Sequence, residues 1–253
     1  MNVFDFTTSR YERLLNAILE ANWDTFTVKQ YLEAQTLSEN FVVLRHDVDR
    51  KVRNALRLAR LEAERGITAT YYFRTSTFDV DIVRQIEEWG HEIGYHYEDP
   101  ASTNGDYQAA QRRFEENLAA FREVADVATV CAHGSPLSPH SNKGLWEGRL
   151  DELAEYGILG EGYLSIDVGP QSDMYYLSET GRTWEAELPT VGVVETTADL
   201  IGALHVHPCS GLYILVHPSR WSDSKAEFAQ MFAWDASKEI TLTALNTISS
   251  LHR

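Results

Sequence analysis

The chain has 253 residues, 43% of them hydrophobic, which suits one large α/β domain with a substantial core. Its 38 acidic against 22 basic residues give a formal charge of −16, so its surface repels polyphosphate and argues against nucleic acid as a partner. The two cysteines, Cys131 and Cys209, lack CxxC spacing, which excludes a disulfide scaffold and a four-cysteine zinc site.

No apolar run is long enough to span a bilayer, so membrane insertion is not expected. Residues Met1 to Phe6 lack a basic patch followed by an apolar stretch, and a cytoplasmic location with two reduced, buried thiols is expected. Six tryptophans and twelve tyrosines supply aromatic faces of the kind that line sugar sites.

In chain order, the spacing of Tyr11, Leu14, Leu15, Ile18 and Leu19 predicts an amphipathic helix with Ser9 as its cap. A second short helix is expected from Val28 to Ala34. Strands and helices then alternate. Phe41 to Arg45 reads as a strand and Lys51 to Arg65 as a helix stopped by Gly66. Thr68 to Phe73 is a strand, Asp79 to Trp89 a helix ended by Gly90, and Glu92 to Tyr95 a strand. Asp106 to Val124 is a long helix, Ala128 to Ala132 a strand, Gly144 to Tyr156 a helix closed by Gly157, and Ile158 to Leu164 a strand. Pro170 to Glu195 reads as irregular with a short strand at Met174 to Leu177. Thr197 to Leu204 is helical, Leu212 to Val216 a fully apolar strand, and the tail from Ser224 helical.

Alternating βα units predict a parallel sheet. With six or seven units and no glycine-rich phosphate loop, the expected fold is a distorted (β/α)7-type barrel of mostly parallel strands with N-terminal helices. The expected organisation is one domain, with an N-terminal helical segment at 1–38, the barrel core at 39–220 and a C-terminal helical segment at 221–253.

Active sites of parallel α/β folds form at the C-terminal ends of strands. Those ends here carry His46, Asp47 and Asp49; Arg74; His96, Glu98 and Asp99; His133-Gly134-Ser135-Pro136; Asp167; and His217. His91 opens its strand and reads as structural. Such groups bind metals or move protons, and their concentration at successive strand exits predicts a metal-assisted hydrolase. Asp49 and His96 are the candidate ligand pair for a borderline-soft cation, most naturally Zn2+. Asp47 is placed to take a proton from water, and His217 to protonate a leaving group. Arg74 and Asp167 are candidate substrate contacts, and Arg74 or Arg45 would tune nearby pKa values. His205, His207 and Cys209 share a local spacing, but no fourth ligand accompanies them.

Gly90-His91-Glu92-Ile93-Gly94-Tyr95-His96 resembles the second signature of the polysaccharide deacetylases, carbohydrate esterase family 4. His46-Asp47-Val48-Asp49 is similar to the family's first signature, and Leu212 to His217 to its last. The resemblance spans about residues 40 to 220 and implies hydrolysis of N-acetyl groups on sugars with a zinc-type metal. It implies Asp47 as catalytic base, Asp49 and His96 as metal ligands and His217 as catalytic acid. Two positions depart from the family. Pro100 stands where a second imidazole is usual, and no arginine accompanies Pro136 to orient the base. The third ligand is then His133, with Glu98 or Asp99 as alternatives. A second reading is a non-catalytic descendant that binds a glycan or partner, and a third is hydrolysis of another amide or an O-acetyl ester.

Overall fold

The computed structural model describes residues 5–180, 183–184, 186–224 and 227. Its frame is a curled, all-parallel sheet. The strands are β2 (Phe41–Val48), β3 (Thr70–Phe73), β4 (Glu92–Tyr97), β5 (Val127–Ala132), β6 (Gly160–Glu161), β7 (Met174–Ser178) and β10 (Gly211–Val216). A short strand β1 (Asp24–Phe26) also pairs with β2. The strands are ordered β6-β5-β4-β3-β2-β10-β7. Read round the sheet, this order is cyclic in sequence, as barrel winding requires; a doubly wound sheet would reverse direction part-way. The two ends, β6 and β7, do not pair, so the sheet is a half-barrel.

The helices are α1 (Thr8–Glu20), α2 (Val28–Glu33), α3 (Val52–Ala63), α4 (Val80–Glu88), α5 (Asp99–Ser102), α6 (Tyr107–Arg122) and α7 (Thr197–Val206). Thr7, rather than Ser9, caps α1, accepting from the Arg10 N–H. Thr27 and Gln30 form a capping box on α2, a start signal visible in the sequence. Three expectations fail locally. Lys143–Leu145 and Leu150–Tyr156 are 3-10 turns rather than one α-helix, and the strand expected over 158–164 shrinks to β6. The stretch expected to be irregular after β7 contains an antiparallel hairpin of β8 (Ala186–Leu188) and β9 (Gly192–Val194). The tail expected to be helical lies outside the described residues, apart from Ser224 and Glu227.

Every residue of β2 is buried, because both its faces are covered. Val42, Leu44 and Val48 face the helical layer, where α1, α3 and α4 bury Leu14, Leu58 and Val83. Phe41, Val43, Tyr72, Cys131 and Tyr213 face inward and fill the half-barrel. Gly94 belongs to that filling: a Cβ there would overlap the Tyr72 ring, so only glycine admits the ring.

Candidate active site

Strand alternation sends Arg45 and Asp47 inward and His46 outward. Arg45 is fully buried, and its guanidinium grips Asp47 with two bonds: Nε donates to Oδ1 and Nη2 to Oδ2, both at 3.1 Å. Nη1 donates to the Gly162 carbonyl at 3.0 Å and the Tyr213 hydroxyl at 2.7 Å, and the group lies 4.1 Å over the Tyr163 ring. Burial would raise the Asp47 pKa, but Arg45 first, then His96 and His217, hold it below the usual carboxylate range. An arginine thus does bond Asp47, from the same strand and two residues before it rather than from the segment at Pro136.

Asp49 follows the end of β2. Its Oδ1 lies 3.5 Å from His96 Nε2 and 3.5 Å from His133 Nε2, and Asp47 Oδ2 lies 3.6 Å from the same His96 nitrogen. These exceed hydrogen-bond distances, and Asp49 Oδ1 is buried without a hydrogen-bond partner among the described residues. Both rings are fixed by their other nitrogen. His96 Nδ1 donates to the Cys131 carbonyl at 2.9 Å, an acceptor only, so neutral His96 has a lone pair at Nε2. His133 Nδ1 lies 3.0 Å from Ser135 Oγ and 3.2 Å from Glu98 Oε2. Two imidazole nitrogens thus address one carboxylate oxygen, an arrangement repulsive unless a proton or cation lies among them.

That donor set suits a borderline-soft cation. Ligand atoms about 2.0–2.2 Å from a tetrahedral metal stand about 3.4 Å apart, close to the two separations from Asp49, while the two imidazole nitrogens stand more than 4.8 Å apart and would draw together on a cation. The carboxylate behind His133 and the carbonyl behind His96 are outer partners of the kind that orient metal-binding imidazoles. A different group, Asp47, His96 and Cys131, has its ligand-type atoms within 4.8 Å of one another. It is the poorer host. Both Asp47 oxygens are already bonded to Arg45, whose charge opposes a cation there, and burial holds the Cys131 thiol protonated well above its usual range.

Glu98 accepts from Arg74 Nη2 at 2.6 Å; burial is overcome by His133 and then Arg74, which hold its pKa down to about 2. It stands behind His133, on the side away from Asp49. Asp99, the other alternative ligand, is turned into the core, where it accepts from Tyr95 Oη at 2.8 Å and Asn117 Nδ2 at 2.9 Å. Asp167 is exposed and influences Tyr31, which stacks on Phe41 at the start of β2, so it does not join the group. Arg74 does line the cavity.

His217 closes the site from the end of β10. Its Nδ1 lies 2.9 Å from Glu179 Oε2, and its backbone N–H donates to Glu179 Oε1. Nε2 is left for the cavity that His217 lines. Burial works against charge on this ring, but Glu179 outweighs it and raises the pKa. Glu179 was not foreseen. It follows β7 by one residue, so the strand-exit rule applied to Met174–Ser178 selects it. Asp49, Glu98, Arg74, His133 and His217 line one cavity of about 610 Å³, and Asp47 and His96 lie buried next to Asp49.

Outside the cavity, His91 is structural as expected, with Nε2 donating to the Ala59 carbonyl at 2.9 Å and Nδ1 accepting from the Ala69 N–H at 3.2 Å. His207 caps α7 and stacks on Trp23.

No family model matches the sequence, and no curated protein matches it. Among solved structures, the chain is similar to a CE4 family pseudoenzyme from Bacillus anthracis, with 13% identity, a TM-score of 0.44, and 80% of this chain covering 62% of that one. It is also similar to a family 4 carbohydrate esterase from Bacillus anthracis, with 14% identity, a TM-score of 0.42, and 89% and 85% of the two chains covered. A CE4 esterase from Streptococcus mutans shares 15% identity, with a TM-score of 0.46 and 85% and 87% covered. The chain spans less than two thirds of the first of these. At such identities residues do not transfer by position, and the site's chemistry stands on its own geometry.

Proposed function

We propose that the chain is a metal-dependent hydrolase of the polysaccharide deacetylase type, removing an N-acetyl group from an amino sugar or surface-glycan precursor. The observation that carries this reading is Asp49 Oδ1, buried without a hydrogen bond and 3.5 Å from a nitrogen of each of two oriented imidazoles. Asp49, His96 and His133 would hold the cation, most suitably Zn2+. When bound, such a cation supplies Lewis acidity, polarising a carbonyl and bringing the pKa of a coordinated water near neutrality.

The remaining groups divide proton transfer between them. Asp47, held ionised by Arg45, accepts the proton of the attacking water. His217, held protonated by Glu179, gives a proton to the departing amine as the C–N bond breaks, so the products are acetate and a free amino sugar. Opposite displacement of the two pKa values is the pattern that separates a base from an acid. Glu98 and the Cys131 carbonyl fix the two imidazoles.

Acetate release from N-acetylated amino sugars should stop on chelation, return with added zinc, and fall about 10²–10⁴-fold in Asp47→Asn. Turnover that survives chelation, or an Asp47→Asn chain as active as the parent, contradicts the reading. A second reading has an observation of its own, Pro100 in place of an imidazole. A binding descendant would hold no stoichiometric metal at any pH, keep glycan affinity and release no acetate from any N- or O-acetylated sugar.

A further inference from the structure

The chain carries a net charge of −16, yet three guanidiniums, Arg50, Arg74 and Arg220, line the cavity beside the candidate site. Against them that wall sets the carboxylates of Asp49 and Glu98. Neither compensates Arg220: Glu98 is bonded to Arg74 and His133, and Asp49 faces the imidazoles. Arg220 closes a 3-10 turn, Pro218–Arg220, directly after His217. Its Nη1 donates to the Glu179 carbonyl at 2.7 Å. Its charge also acts on the Glu179 carboxylate, but both oxygens of that carboxylate are bonded to His217, and no carboxylate of the described residues forms an ion pair with Arg220. The side chain is half-buried at the cavity wall, and its other donors make no hydrogen bond to the described residues.

In a chain with so many more acidic than basic residues, a half-buried guanidinium that shares its nearest carboxylate with His217 is suited to a counter-charge from elsewhere. A guanidinium fork fits planar or tetrahedral oxyanions with two parallel bonds. Pro136, Leu137 and Pro139 also line the cavity and lend it apolar surface, with Leu137 63% exposed.

We infer that the ligand of this cavity carries an anionic substituent, a carboxylate or a phosphate, which Arg220 binds beside His217. The inference rests on the hydrolase reading for the sugar that bears the group. It makes the substrate an acidic or phosphorylated N-acetyl sugar rather than a neutral one.

Calorimetry tests it with three probes: N-acetylglucosamine, N-acetylglucosamine 1-phosphate and N-acetylmuramic acid. The chain would carry Asp47→Asn so that no ligand is consumed. At least one anionic sugar should bind about tenfold more tightly than the neutral one, and the preference should shrink as salt is added. The phosphate and carboxylate arms show which substituent is meant. Arg220→Gln should abolish most of the preference and leave N-acetylglucosamine affinity unchanged, while Arg220→Lys retains part of it. Equal binding of all three sugars, or of none, overturns the inference. So does an Arg220→Gln chain that weakens all three alike, since Arg220 would then be a prop for Glu179. Arg220→Lys, with a partial loss confined to the anions, serves if Arg220→Gln does not fold. Acetate release is measured separately on the parent chain. An Arg220-dependent preference without acetate release overturns the hydrolase reading alone, and acetate release without the preference overturns this inference alone.

Discussion

The two faces of β2 carry histidine and carboxylate assemblies of similar composition and opposite character. On the outer face His46 Nε2 lies 2.8 Å from Glu62 Oε1, Tyr11 donates to the same oxygen, and Tyr71 Oη donates to Oε2 at 2.7 Å. That cluster has no opening: His46 and Glu62 are wholly buried. Burial alone would raise the Glu62 pKa, but His46 and the other donors outweigh it and hold it down. On the inner face, the Asp49 side chain is 25% exposed, and its Oδ1 meets two imidazole nitrogens without a hydrogen bond. A carboxylate surrounded by hydrogen-bond donors needs no cation and serves the fold; one approached by ring nitrogens at ion-pair distance, at a cavity, invites a cation. One residue of strand register separates the two roles.

Substitutions on each face should separate stability from metal binding. Asp47→Ala should destabilise the chain by about 3–5 kcal/mol in chemical denaturation, because it leaves the Arg45 guanidinium buried and unpaired. Asp47→Asn keeps acceptor oxygen for Arg45 and should lose much less, though both variants lose turnover. Glu62→Ala should cost about 3 kcal/mol, since it strands two tyrosine hydroxyls and an imidazole. Metal bound per folded chain should not change in it. A Glu62→Ala chain that folds normally but loses metal would reverse the assignment of the two faces.

Smaller effects sharpen the inner face. Glu98→Gln should weaken zinc affinity about 10–100-fold, read by chelator competition, because the amide orients His133 less firmly than a carboxylate. Unchanged affinity would remove Glu98 from the site. Asp99 should affect stability alone, and only across a window of pH. Burial, only partly offset by Tyr95, Arg113 and Asn117, pushes its pKa up to about 6. The folded state therefore prefers the protonated acid. The resulting stabilisation is full below the ordinary value of about 4 and is lost as pH rises through about 6. Asp99→Asn should remove that slope, a stability difference of about 3 kcal/mol and hence a change in Tm of about 6–12 °C between the two ends of the window. An unaltered pH profile would contradict the structural role.

The strand exits were legible because β2, β4, β5 and β10 are apolar runs ending in ionisable residues, and parallel winding brings such ends together. Asp47, Asp49, His96, His133 and His217 could be named from that rule. Arg45 was visible as a neighbour, but its bidentate bond to Asp47 depends on the strand alternating evenly and on Tyr163 and Tyr213 walling the guanidinium in. Glu179 escaped because the section after β7 reads as irregular; its short hairpin is held by tertiary packing rather than by local pattern. Asp99 was misplaced by one residue's rotation. Glu98 stays at the cavity, but α5 starts at Asp99 and turns that side chain toward Tyr95 and Asn117. The helix expected over Gly144 to Tyr156 fails at Gly148, whose φ of +75° interrupts the pattern and leaves two 3-10 turns.

The central claim is that the cation is held by Asp49, His96 and His133 and not by the Asp47, His96 and Cys131 group. Zinc content by mass spectrometry after dialysis, compared between His133→Ala and Cys131→Ser, decides it. One zinc per chain in the parent and in Cys131→Ser, with loss in His133→Ala, is the expected result. Zinc retained by His133→Ala and lost by Cys131→Ser would contradict it.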